Sequence, residues 1–228
     1  MKRNTILCLI LALTSFSVAC KERPTGTPEA LCQAARAGNI ERIRTLISSG
    51  VDVNARATGS GTPLHHAAIM GHTDVVKLLI AKGAEVNAKD QWKRTPLLFA
   101  APNKEGDVAE ILVANGADVN VMDTSGDTPL LAALRGENEG LAELLIDKGA
   151  DVNVPIWPHP GISPVVRTQT PLHYAARLGY KNVTELLISK GADVNAKTEY
   201  GQTPMSIASG AGHRDIVELL RAYGAEEN

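Results

Sequence analysis

A five-residue phrase returns down this chain at a fixed interval, and that interval decides what the chain can fold into. It reads Gly83-Ala84-Glu85-Val86-Asn87, Gly116-Ala117-Asp118-Val119-Asn120, Gly149-Ala150-Asp151-Val152-Asn153 and Gly191-Ala192-Asp193-Val194-Asn195, with a looser Gly50-Val51-Asp52-Val53-Asn54 ahead of them. From Gly50 to Gly83, Gly116 and Gly149 the step is 33 residues each time, then 42 to Gly191 and 33 to Gly224. A period of this size marks a solenoid, in which each unit buries its apolar face only against its neighbours.

A second phrase keeps the same register. Thr62-Pro63-Leu64-His65 and Thr170-Pro171-Leu172-His173 are complete, whereas Thr95-Pro96-Leu97-Leu98, Thr128-Pro129-Leu130-Leu131 and Thr203-Pro204-Met205-Ser206 keep the opening and lose the His. Thr before Pro starts a helix: the hydroxyl accepts from an orphan amide, and Pro at the first position lacks a donor that would go unpaired anyway. Pairs such as Ala67-Ala68 and Ala175-Ala176 keep this first helix thin. Runs such as Val75-Val76-Lys77-Leu78-Leu79-Ile80 give a second helix with a broad apolar stripe, which the following Gly ends in the left-handed conformation.

The two phrases together resemble the ankyrin repeat, over roughly residues 29–226. The resemblance implies an all-α solenoid of six stacked helix-turn-helix repeats with projecting β-hairpin fingers. The first unit, Glu29 to Asn54, and the last, from Thr203, carry the polar residues of end caps. At ~8–10 Å per helix layer, six units make a curved slab on the order of 55 Å long. Two turns depart from the pattern: Pro102-Asn103-Lys104-Glu105-Gly106, expected to shorten the first helix of the third unit, and Gly136-Glu137-Asn138-Glu139-Gly140 in the fourth.

Residues 1–19 read as a bacterial-style signal peptide: Lys2 and Arg3, an apolar stretch from Ile6 to Leu13, then small residues up to Ala19. Phe16-Ser17-Val18-Ala19-Cys20 looks like a lipobox, making Cys20 the lipid attachment site. Ser17-Val18-Ala19 equally suits ordinary signal peptidase, which would release a soluble periplasmic protein. By resemblance, Lys21 after the Cys favours the outer membrane. Residues 20–28 form a tether; its eight residues after Cys20 reach at most ~28 Å. Residues 227–228 are a tail. Cys32 stands where His65 stands one unit later and reads as a small buried side chain, with a reactive thiol as the other reading.

Net charge is −2, with no concentration of Lys and Arg, which argues against nucleic acid as partner. No nucleophile elbow, phosphate loop or zinc-protease helix is present, and Asp118, Asp151 and Asp193 recur with the period as turn residues. No catalytic residue, cofactor or metal is expected. By resemblance, His65 and His173 bond the Thr and the adjoining backbone, and His72 and His213 mark the turns between helices. His159 alone lacks a structural explanation.

Solenoids of this kind bind along their fingers and along the concave face beside the first helix. The protein-binding candidates are Trp92, Arg94, Asp127, Trp157, His159, Arg167, Gln169, Arg177, Tyr200 and Gln202, with Ile69, Met70 and Arg135 at the helix edge. Trp92 and Tyr200 are aromatic anchors on polar fingers, or else rings packed on the neighbouring finger. The nine-residue excess near 154–166, rich in Pro and carrying Trp157, is a partner-contacting finger or a neutral insertion.

The function these features lead one to expect is a periplasmic, lipid-tethered, monomeric protein-binding scaffold rather than an enzyme. Its partner would be a protein: a toxin or hydrolase held by an immunity or inhibitor protein, or an envelope enzyme that it helps. The alternative is a structural envelope component with no specific soluble partner. Membrane contact is expected through the lipid alone.

Overall fold

The computed structural model describes residues 26–57, 61–103, 107–154 and 169–226. Among these residues twelve helices pair in chain order. They are α1 (Pro28–Arg36) with α2 (Ile40–Ser48), α3 (Pro63–Ile69) with α4 (Thr73–Ala81), and α5 (Pro96–Ala100) with α6 (Asp107–Ala114). Then come α7 (Pro129–Arg135) with α8 (Glu139–Asp147), α9 (Pro171–Leu178) with α10 (Lys181–Ser189), and α11 (Pro204–Ala211) with α12 (Arg214–Ala222).

Every first helix after α1 begins at the Pro of a Thr-Pro pair, and the Thr is its extended N-cap. At Thr62 and Thr170 the cap is reciprocal. The Nδ1 of His65 accepts from the Thr62 amide at 3.0 Å, and that of His173 from the Thr170 amide at 3.0 Å. Asn39 and Asn138 cap α2 and α8, accepting from the amides of Arg42 and Leu141. At the other end of the second helices, Gly83 (φ 87°) and Gly191 (φ 89°) take the left-handed turn that a side chain resists. The third unit's first helix, α5, has five residues against seven to nine in the others, as its Pro102 turn predicts.

One continuous core runs through the pairs. Leu31, Leu64, Leu97 and Leu172 are fully buried, and Ala35, Ala67, Ala68, Ala101, Ala175, Ala176 and Ala208 have no exposed surface at all. Each such Leu contributes about 2–3 kcal/mol of burial. The alanines let first helices approach closely, so α1 packs tightly on α3 and α9 on α11, while the bulkier second helices make looser contacts with one another. The first helices form one side of the stack, its inner face, and the second helices the other. Cys32 is buried as expected, its Sγ facing the Gly61 carbonyl at 3.8 Å, and burial raises its pKa.

Backbone and side-chain ladders hold the units in register. Asn54, Asn87, Asn120 and Asn195 donate from Nδ2 to the carbonyls of Gly83, Gly116, Gly149 and Gly224, each 29 residues ahead, at 2.9–3.2 Å. Their Oδ1 atoms accept from the amides of Glu85, Asp118, Asp151 and Glu226. On the turn side, His72 Nε2 donates to the Arg36 carbonyl at 2.9 Å and His213 Nε2 to that of Arg177 at 3.1 Å. In the two irregular turns an Asn does the same work: Asn103 Nδ2 reaches the Ala68 carbonyl at 3.5 Å, and Asn138 Nδ2 the Asn103 carbonyl at 2.8 Å.

The expectation of β-hairpin fingers needs correction, since no strand occurs among the described residues. The described finger tips are turns closed by two backbone bonds, as from the Asp90 amide to the Arg94 carbonyl (2.9 Å) and the Lys93 amide to the Asp90 carbonyl (3.1 Å), and from the Asp123 amide to the Asp127 carbonyl (3.0 Å) and the Gly126 amide to the Asp123 carbonyl (3.1 Å). The Asp90 and Asp123 carboxylates take up further turn amides.

Candidate functional site

The inner face carries the finger turns and the exposed edge of the first helices. Asp90 organises the finger of the third unit. Its Oδ1 accepts from the amides of Trp92 (2.8 Å) and Arg94 (2.9 Å), and its buried Oδ2 binds Arg94 through Nε and Nη2, both at 2.8 Å. Held there, the Arg94 guanidinium lies between the Trp92 ring (4.3 Å) and the Phe99 ring (4.4 Å). Phe99 in turn meets His65 edge-on at 5.8 Å.

Trp92 thus packs on Arg94 of its own finger, yet remains 45% exposed. Its backbone carbonyl, rather than its ring, ties it to the next finger by accepting from the Thr124 amide at 3.0 Å. Among the described residues Tyr200 is the most exposed large apolar side chain, at 59%.

Asp127 forms an ion pair with Arg135 through Oδ2, while its Oδ1 is buried without a partner. Burial pushes the Asp127 carboxyl above its ordinary range, against the pull of Arg135. Arg177 lies over the Tyr174 ring at 4.4 Å, and its carbonyl receives the His213 bond. Gln169 leaves a buried Oε1 unpartnered, and Gln202 is exposed with its carbonyl accepting from His173 Nε2 at 3.2 Å. Cys20, Trp157, His159 and Arg167 lie outside the described residues.

The expected site residues therefore fall into separate clusters along one face rather than converging on one point. His65 and His173 serve the array: Nε2 of His65 donates to the Arg94 carbonyl at 3.0 Å, and burial lowers the pKa of both rings. Asp118, Asp151 and Asp193 accept from the amides two residues ahead, as turn residues do. Among the described residues no group of three or more His, Cys, Asp or Glu is placed to hold a metal ion. No described helix is long and apolar enough to cross a membrane.

Sequence reasoning missed Asp90 and Phe99, the two residues that fix Arg94, and Tyr174 beneath Arg177. The sequence signal for Tyr174 and Phe99 is their shared position directly after the fourth residue of the Thr-Pro phrase.

A family model described as ankyrin repeats matches three times, over residues 2–90, 83–156 and 159–228. The chain belongs to the ankyrin-repeat family. Comparison with curated proteins finds no significant match. Ankyrin repeats are in general protein–protein interaction modules rather than catalysts. In this ankyrin-repeat chain Trp92 and Tyr200 on the finger turns and Ile69 and Met70 at the helix edge are exposed.

Proposed function

We propose that this ankyrin-repeat protein is a periplasmic scaffold of six units, tethered to the outer membrane through a lipidated Cys20, that holds a protein partner on its finger tips and inner face. It acts as an immunity or inhibitor protein, or as a helper of an envelope enzyme, by presenting a rigid surface and without chemistry of its own. The observation that carries this reading is the exposure of Trp92 and Tyr200 on finger turns whose backbones are fixed by their own hydrogen bonds. An aromatic side chain held in place by a rigid turn loses little entropy on binding and is a good anchor. The sequence of residues 1–20 supports export and acylation.

The test is affinity capture from envelope extracts with residues 21–228 as bait, against the same bait carrying Trp92→Ala, Trp157→Ala and Tyr200→Ala. A stoichiometric partner lost from the variant, with helical content and melting unchanged, supports the scaffold. A variant that keeps every partner and phenotype favours a purely structural envelope component. Labelling with a radioactive fatty acid that disappears in Cys20→Ser tests the anchor.

A further inference from the structure

The outer face, formed by the second helices, carries a row of charges that changes sign once along the stack. The fifth residue of α2 and its equivalents at the repeat interval read Arg44, Lys77, Glu110, Glu143, Glu185 and Glu218. Arg44, Lys77 and Glu110 are exposed and Glu143 is half-buried, and none of the four takes part in an ion pair among the described residues. The surrounding charges follow the same division. With their caps, α2 and α4 carry Arg42, Arg44, Lys77 and Lys82 against Glu41 and Asp74, whereas α6 and α8 carry Asp107, Glu110, Glu139, Glu143 and Asp147 against Lys148. Burial and the neighbouring Glu143 charge raise the Glu139 carboxyl, so the negative charge of α8 is not compensated locally.

At the change of sign the next positions are apolar. Leu78 on α4 and Ile111 on α6 are half-buried, and one turn later Ala81 and Ala114 are exposed. These two helices are neighbours in the stack, so the four residues make an apolar strip with cations on one flank and carboxylates on the other. Alanines at the exposed positions let another helix approach to about 8 Å.

A strip flanked in this way complements itself. A two-fold axis lying in the face, parallel to the helices and passing between α4 and α6, reverses the order of the units and keeps each residue at its own height. Lys77 then faces Glu110 of the second copy and Arg44 its Glu143, while Leu78 meets Ile111 and Ala81 meets Ala114. Asp74 falls opposite Asp107, a like pair in the first turns of two helices, where the helix dipole offsets the repulsion. An axis along the stack would set every charge on its own copy, and an axis one junction to either side would oppose Glu110 to Glu143 or Arg44 to Lys77.

We propose that the protein pairs with a second copy of itself through this face, α2 and α4 of each copy against α8 and α6 of the other, rather than acting as a monomer. Charge complementarity selects the second copy and fixes its register. The inner faces and fingers of both copies stay open, so the pair presents two partner surfaces, whatever they bind.

Sedimentation equilibrium of residues 21–228, which hold every described helix, tests the pairing. Dimers are expected with a Kd on the order of 10 µM in ~50 mM salt, about fivefold weaker in ~500 mM salt. Lys77→Glu or Glu110→Lys alone should weaken pairing at least about tenfold, since each sets like charges together twice in the dimer. Mixed in equal amounts, the two variants should pair with each other at about wild-type strength, because every facing pair is then again of opposite sign. Both positions are exposed, and a melting curve confirms that each variant folds. A wild type that stays monomeric up to ~1 mM overturns the proposal. So does a dimer that either reversal leaves intact, or a failure of the mixed variants to pair.

Discussion

Asn153 donates from Nδ2 to the carbonyl of Gly191 at 3.0 Å, across 38 residues, where its counterparts in the other units reach 29 residues ahead. Its Oδ1 accepts from the Asp193 amide at 3.2 Å, closing the same two-bond bracket found at every other junction. The nine-residue excess in the repeat interval is therefore accommodated without breaking register, and the inner face continues across it.

Asn153→Ala removes both bonds at that junction. At roughly 0.5–1.5 kcal/mol for each bond, reduced by exposure, the expected loss is about 1–2 kcal/mol in denaturant unfolding. Asn87→Ala, which removes the matching pair at a regular junction, should cost about the same. A negligible effect at Asn153 beside a clear one at Asn87 would show that the bracket there carries no load.

Acid should loosen the array through its buried imidazoles. Burial holds the pKa of His65 and His173 in the folded chain below the unfolded value of about 6.5. The unfolded chain thus takes up more protons as pH falls through about 6.5, so their contribution is intact above that pH and lost below it, down through the folded pKa. Melting temperature should fall between about pH 7 and pH 5. The slope should shrink in His65→Leu/His173→Leu, which copies the Leu98 and Leu131 of the sister units, with His66 supplying the remainder.

The pair of Asp127 and Arg135 should respond unequally to its two truncations. Arg135→Ala strands a carboxylate that burial already disfavours and should cost about 1–2 kcal/mol. Asp127→Asn leaves an exposed Arg and should lie within about 0.5 kcal/mol of wild type. Equal costs in thermal or urea unfolding would mean that burial of Asp127 is not the deciding effect.

Two glycines with the same conformation should differ in their tolerance of Ala. Gly191 (φ 89°) has open space where a Cβ would sit, so Gly191→Ala carries only the left-handed penalty of about 1 kcal/mol. At Gly179 (φ 79°) the Cβ would lie 2.7 Å from the His213 ring and displace its bond to Arg177. Gly179→Ala should therefore cost at least about 1 kcal/mol more, measured as the difference in unfolding free energy.

Much of this architecture was legible in the chain because it repeats. Thr-Pro starts, Gly ends and paired alanines are local signals, and their recurrence in one register overrules any single irregularity such as Pro102. What stayed hidden depends on partners far away in sequence. Asn87 looks like the last residue of a turn phrase, and only the stacked neighbour reveals that it brackets Gly116 and Asp118. Asn103 and Asn138 replace the turn histidines one for one as donors, yet they stand in segments that read as defects. Arg94 was visible as a finger residue, but its clamp by Asp90, Trp92 and Phe99 is set by side-chain angles that no spacing encodes.

The helix pairs form one coupled array, so that the fingers and the first-helix edge act as one surface. Hydrogen exchange read by mass spectrometry on wild type and Asn153→Ala tests it most directly, by comparing α8 with α10 on either side of the junction. Both helices should lose protection together in the variant, because each unit is stabilised by its neighbour. If α10 and the helices beyond it exchange as an independent block that ignores the loss of Asn153, the array is two bodies and the claim is contradicted.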